Sequence, residues 1–90
     1  MVFQVTGEAM VPRYKPGEVI GVQLPGKPFP SIKMLGKDVV ARLSDGQTVI
    51  KTLNSGPGHD SYVLTSVNPL VHPIYDPEIE WIAPIDFHIV

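Results

Sequence analysis

Apolar and polar residues alternate in short runs along this chain. Each run is closed within about ten residues by proline, glycine or an Asx-Gly pair. Val-rich Glu18 to Leu24 (EVIGVQL) reads as a strand, and so do Lys37 to Leu43, Gln47 to Leu53 and Ser61 to Val67. Ser44-Asp45-Gly46 joins the second and third of these, and Asp-Gly between alternating runs predicts a hairpin. Met1 to Val5 predicts a short strand running into a turn at Gly7. Met10 to Tyr14 predicts one helical turn, ended by Lys15-Pro16-Gly17. Pro25 to Met34 and Asn54 to Asp60 read as loops. Ile79 to Ile82 and Ile85 to Val90 read as two strands broken at Pro84.

Composition sharpens this picture. Ten prolines leave at most 26 consecutive residues between them (31–56), which disfavours long helices. Ninety residues are one domain, residues 1–90, with an all-β or mostly-β fold of short strands compatible with a folded sheet or small open barrel. No cysteine is present, so thiol catalysis and cysteine metal sites are excluded. No apolar run approaches the roughly 20 residues that span a bilayer, and no signal-peptide pattern opens the chain, so a cytoplasmic protein without a membrane partner is expected. A net charge of -2 without a basic cluster argues against direct nucleic-acid binding.

The candidate chemistry centres on Lys51. Strand alternation puts Val49, Lys51 and Leu53 on one face and Thr48, Ile50 and Thr52 on the other. On an inner face the ammonium loses solvation, its pKa falls, and the lysine becomes able to act as a general base. Alternation alone favours the other reading, a lysine at the sheet rim whose amine reaches water. His59, His72 and His88 have no local metal-ligand spacing, and Asp76, Glu78, Glu80 and Asp86 follow no calcium-loop pattern. Neither a metal nor a cofactor is expected. Gly56-Pro57-Gly58 reads as a turn. Trp81, Ile82, Ile85, Phe87, Ile89 and Val90 form an apolar end that could fill the core or pair with a second subunit, and a division between both roles is favoured.

Val5-x-Gly7-x-x-Met10-x-Pro12, Pro16-Gly17-Glu18, Val49-Ile50-Lys51-Thr52-Leu53 and Leu64-x-Ser66-x-Asn68-Pro69 occur together in order. In that combination the chain resembles the C-terminal peptidase domain of LexA-like and phage repressors, a serine/lysine autopeptidase family. The resemblance implies a small folded-sheet (β-clip) domain, related to the signal peptidases, with short helical turns. It also implies catalytic positions. Ala9 would stand at the nucleophile position, where the family has serine. Lys51 would stand at the general base, and Met10 beside the nucleophile in the oxyanion turn. Ser66 would support the site or hydrogen-bond locally rather than replace the nucleophile. Glu8 stands where the family usually has Asp, and Val11 where it usually has an acidic residue. This drift favours natural loss of catalysis over a serine replaced by design. The expected function is a homodimerising, catalytically inactive repressor domain; the alternative is a RecA-stimulated self-cleaving peptidase captured as a nucleophile variant. An upstream helix-turn-helix that binds DNA, a cleavage linker, and RecA or an antirepressor as partner are expectations from the same resemblance.

Overall fold

A computed structural model of the chain describes residues 1–23 and 26–90. Among these residues seven strands form one antiparallel sheet: β1 (Val2–Gln4), β2 (Val19–Val22), β3 (Asp38–Leu43), β4 (Thr48–Ser55), β5 (Tyr62–Thr65), β6 (Ile74–Tyr75) and β7 (Ile79–Ile89). Their order across the sheet is β1-β2-β7-β3-β4-β5-β6. The mostly-β expectation holds. The β3–β4 hairpin also holds, with Val39 opposite Lys51 and Ala41 opposite Val49. Gly46 closes it at φ 92°, a left-handed conformation that favours glycine, and Asp45 Oδ1 accepts from Gln47 N–H at 3.0 Å.

β3 and β7 are covered on both sides, which explains the unbroken apolar runs Val39-Val40-Ala41 and Ile82-Ala83. Val40 and Ala83 enter one core with Val5, Met10, Tyr14, Ile20 and Val22. Val39, Ala41 and Ile82 enter another with Met34, Leu43, Leu53 and Leu64. The Gly7–Tyr14 turn caps the first core, and the segment around Met34 caps the second. Pleated alternation thus serves two apolar layers.

Three expectations need correction. β7 is one strand running through Pro84. Pro84 makes the last pair with β3 (Val39), and the next residue, Ile85, pairs with β2 (Val22). The missing proline N–H therefore falls where the strand changes neighbours, and its cost to the ladder is small. Met10 to Tyr14, by contrast, makes the single turn expected, with the Arg13 and Tyr14 N–H groups both donating to Met10 C=O at 2.7 and 3.0 Å; Pro12 supplies no donor in this stretch. A short 3-10 segment, Ile32–Met34, lies inside the expected irregular loop. β4 extends to Ser55, and β6 was not anticipated because two residues carry no readable period. The outer end of the expected Glu18 to Leu24 strand and the first residue of the Pro25 to Met34 loop lie outside the described residues. Among the described residues no helix is long and apolar enough to cross a membrane.

Candidate active site

The turn carrying Ala9 leaves β1 through Val5, whose N–H donates to Glu18 C=O at 2.8 Å while its own C=O accepts from Gly17 at 2.9 Å. Gly7 sits at φ 74°, where a β-carbon would be strained. Met10 is buried in the first core and fixes the turn from beneath, with Ala9 half-buried against the same cluster. Among the described residues, the N–H groups of Ala9 and Met10 donate to no carbonyl or side-chain acceptor. Two unengaged amides in a rigid turn are the raw material of an oxyanion site.

Asn68 ties this turn to the far side of the sheet. Its backbone N–H donates to Ala9 C=O at 2.9 Å, and its Nδ2 donates to Glu8 C=O at 3.0 Å. Its Oδ1 accepts from Leu70 N–H at 3.0 Å, which fixes the orientation of the amide. Nothing in the residue types alone pointed to this tether, although Asn68 lies in the Leu64-x-Ser66-x-Asn68-Pro69 segment.

Arg13 and Asp38 make a second anchor. Arg13 Nη1 approaches both Asp38 oxygens, at 2.7 and 2.8 Å, and Thr52 Oγ1 donates to Asp38 Oδ1 at 2.7 Å. The charged turn is thereby pinned to β4 at the residue next to Lys51. Tyr14 lies beside it, its phenol pushed up to about 12 by burial first and by Asp38 second. A third anchor joins the stem of the turn to β7. Glu18 Oε1 pairs with His88 Nε2 at 2.7 Å, and the Tyr14 and His88 rings pack at 4.6 Å. The Glu18 carboxyl is held below its ordinary value, chiefly by the Lys15 backbone N–H and then by His88.

Lys51 is 5% exposed, so the rim reading is overturned. It lies opposite Val39, itself fully buried, and shares its face with Leu53. Nζ donates to Ser66 Oγ at 2.6 Å. The β4–β5 register pairs Thr52 with Thr65, and continuing it by one residue places Lys51 across from Ser66. Burial pushes the lysine pKa down, with no opposing pull from a carboxylate. Such an amine loses its proton closer to neutrality than an exposed lysine does, and can accept one from a hydroxyl. The structure thus brings Lys51 and Ser66 into contact, and Ser66-Val67-Asn68 links them to the Ala9 turn. The histidines and the acidic residues of the last third form no group of three metal-type ligands among the described residues.

A buried lysine hydrogen-bonded to a serine hydroxyl, tied through Asn68 to the glycine turn that carries Ala9, thus lies within a small antiparallel-sheet domain. Residues 1–86 match the family model described as Peptidase S24-like. The chain belongs to that family, as the LexA-like resemblance implied. Searches among curated proteins and among solved structures give no significant match.

Proposed function

We propose that this chain is the self-association domain of a phage-type transcriptional repressor and that it does not cleave itself as written. An upstream helix-turn-helix reads DNA in this reading, and pairing of the present domain raises the effective concentration of two such readers at adjacent half-sites. The protein works in the cytoplasm, and derepression comes from an antirepressor rather than from RecA-stimulated cleavage. Ala9 supports the loss of cleavage, because a methyl group supplies no nucleophile to Lys51.

The observation that carries self-association is the outer face of β1, β2 and β7. Val2, Gly21 and Phe87 lie in one row across these strands, and Gln4, Val19 and Ile89 lie in the row two residues along. Val2, Phe87 and Ile89 are 60%, 46% and 57% exposed. Gly21 leaves room for the Phe87 ring, which a β-carbon at that position would strike. One strand edge is open beside this face. Ile82 pairs with Ala41 on one side and Lys27 on the other, so β3 and the β2 side occupy opposite edges of β7. β3 stops pairing at Pro84, and no described strand continues along that edge beside Ile85–Ile89. An apolar face next to an unpaired edge suits a second copy.

Sedimentation of the domain over a wide concentration range tests this. A dimer that Phe87→Glu converts to a folded monomer is expected, and a strict monomer at high concentration rejects the proposal. The second reading, a self-cleaving peptidase with its nucleophile replaced, is favoured by the retained, buried Lys51. Ala9→Ser in a chain carrying the upstream linker separates the two. Self-cleavage that accelerates with pH supports the peptidase, and an inert protein supports a retired site.

A further inference from the structure

The seven cationic residues are unevenly used. Lys51 is buried, Arg13 is paired with Asp38, and Arg42 Nε donates to Thr48 Oγ1 at 2.7 Å. Three of the remaining four, Lys27, Lys33 and Lys37, line a single cleft of about 430 Å³. All three are exposed, and among the described residues none of them makes an ion pair. β7 forms the floor, contributing Ile82, Ala83, Pro84 and Asp86. Lys27 stands on the β2 side, bridged through its backbone to Ile82. Lys33 and Lys37 stand on the other side, around buried Met34 and just ahead of β3. The cleft is therefore a trough along a strand, with cations on both walls and a mostly apolar base.

Gathering three like charges around one trough raises the local positive potential in a chain whose net charge is negative. One carboxylate, Asp86, does not balance three ammonium groups. The floor continues along β7 toward Phe87 and Ile89. Among the described residues no aromatic side chain lines the cleft, so they offer no platform on which nucleic-acid bases could stack. Carboxylates alternating with aliphatic side chains match both walls and floor.

We propose that this trough binds an acidic polypeptide segment in extended conformation, its carboxylates reaching Lys27 on one wall and Lys33 and Lys37 on the other. This site is separate from the Ala9–Lys51 site and does not depend on whether that site is active. It gives a partner protein a place to engage the domain through charge.

The test uses a fluorescein-labelled peptide alternating glutamate with valine, titrated with the full chain and followed by anisotropy. Saturable binding that weakens with added salt is expected, with a loss of at least about tenfold in Lys33→Glu/Lys37→Glu. Lys15→Glu, a charge reversal at an exposed lysine outside the trough, should leave binding unchanged. In the unaltered protein, amide shift changes on adding peptide should centre on Lys27, Lys33, Lys37 and Asp86, a readout that does not depend on any variant folding. The proposal is overturned by absent binding, by equal binding of the glutamine-for-glutamate peptide, or by an equal loss in Lys15→Glu. It is overturned equally by tighter binding of a single-stranded oligonucleotide, or by loss of self-association in the Lys33→Glu/Lys37→Glu chain, which would make a second copy the occupant.

Discussion

Lys51→Met is expected to stabilise the domain, by an amount that depends on pH. The aliphatic stem of Lys51 already packs beside Val39 and Leu53, so methionine keeps most of the buried apolar surface. What disappears is an ammonium that, among the described residues, has one hydrogen bond, to Ser66 Oγ, and no carboxylate partner. That bond is worth about 1–2 kcal/mol net, whereas desolvating the ion costs several kcal/mol. Ser66 is only half-buried and can turn to water once the amine is gone. The net gain should be about 1–3 kcal/mol at neutral pH, or roughly 5–15 °C in Tm for a domain of this size. In the unfolded chain the lysine titrates at its ordinary 10.5, and folding lowers that value. Between the two pKa values the unfolded chain binds more protons, so native stability rises with pH across that window. Below the folded value both states are protonated and the native state carries the whole cost. Urea denaturation of both proteins from neutral pH to about pH 10.5 should therefore show the advantage of Lys51→Met shrinking as pH rises. A variant less stable than the parent by 1 kcal/mol or more, or an advantage that ignores pH, would refute the reasoning.

In a chain carrying Ala9→Ser and the upstream linker, Asn68→Ala should slow any self-cleavage by about tenfold or more through misplacement of the turn, without moving the pH midpoint set by Lys51; gel densitometry across pH reads both. Glu18→Gln should flatten the acid side of the stability curve. The depressed Glu18 pKa contributes stability above the ordinary carboxylate value of 4.5, and that stability is lost as pH falls through the folded value. Denaturation midpoints through the acid range check this. Ile82→Ala, at a fully buried position of β7, should cost about 2–5 kcal/mol by calorimetry, and a loss under 1 kcal/mol would show that the second core closes around the gap.

Local chemistry made much of this protein readable from its residues. The β3–β4 hairpin follows from Asp45-Gly46 between alternating runs, since both turn type and strand period are set within a few residues. Pro16-Gly17 marked its turn for the same reason, and Gly17 indeed takes φ 92°. The combination of Gly7, Met10, Pro12, Lys51 and Asn68-Pro69 carried the family; among these Gly7 takes φ 74°, Met10 and Lys51 are buried, and Asn68 donates twice to the Ala9 turn.

Long-range packing settled the rest. Alternation left Lys51 between a rim and an inner face, because Ile50 makes the opposite face apolar too. The answer came from β3 and β5 flanking β4 and from the cover over both faces of the sheet. Pro84 looked like a break, since a single chain cannot show that β7 exchanges one neighbour for another at that residue. The Asn68 tether, the Arg13–Asp38–Thr52 anchor and the Glu18–His88 pair join residues from 14 to 70 positions apart. Such contacts exist only once the sheet has assembled. By itself the sequence determined which residues could form turns, strands and a base, because those preferences act over a few bonds. The tertiary structure alone decided which lysine lost its water and which three gathered around a cleft. Solvation and electrostatic potential at a residue depend on everything packed around it.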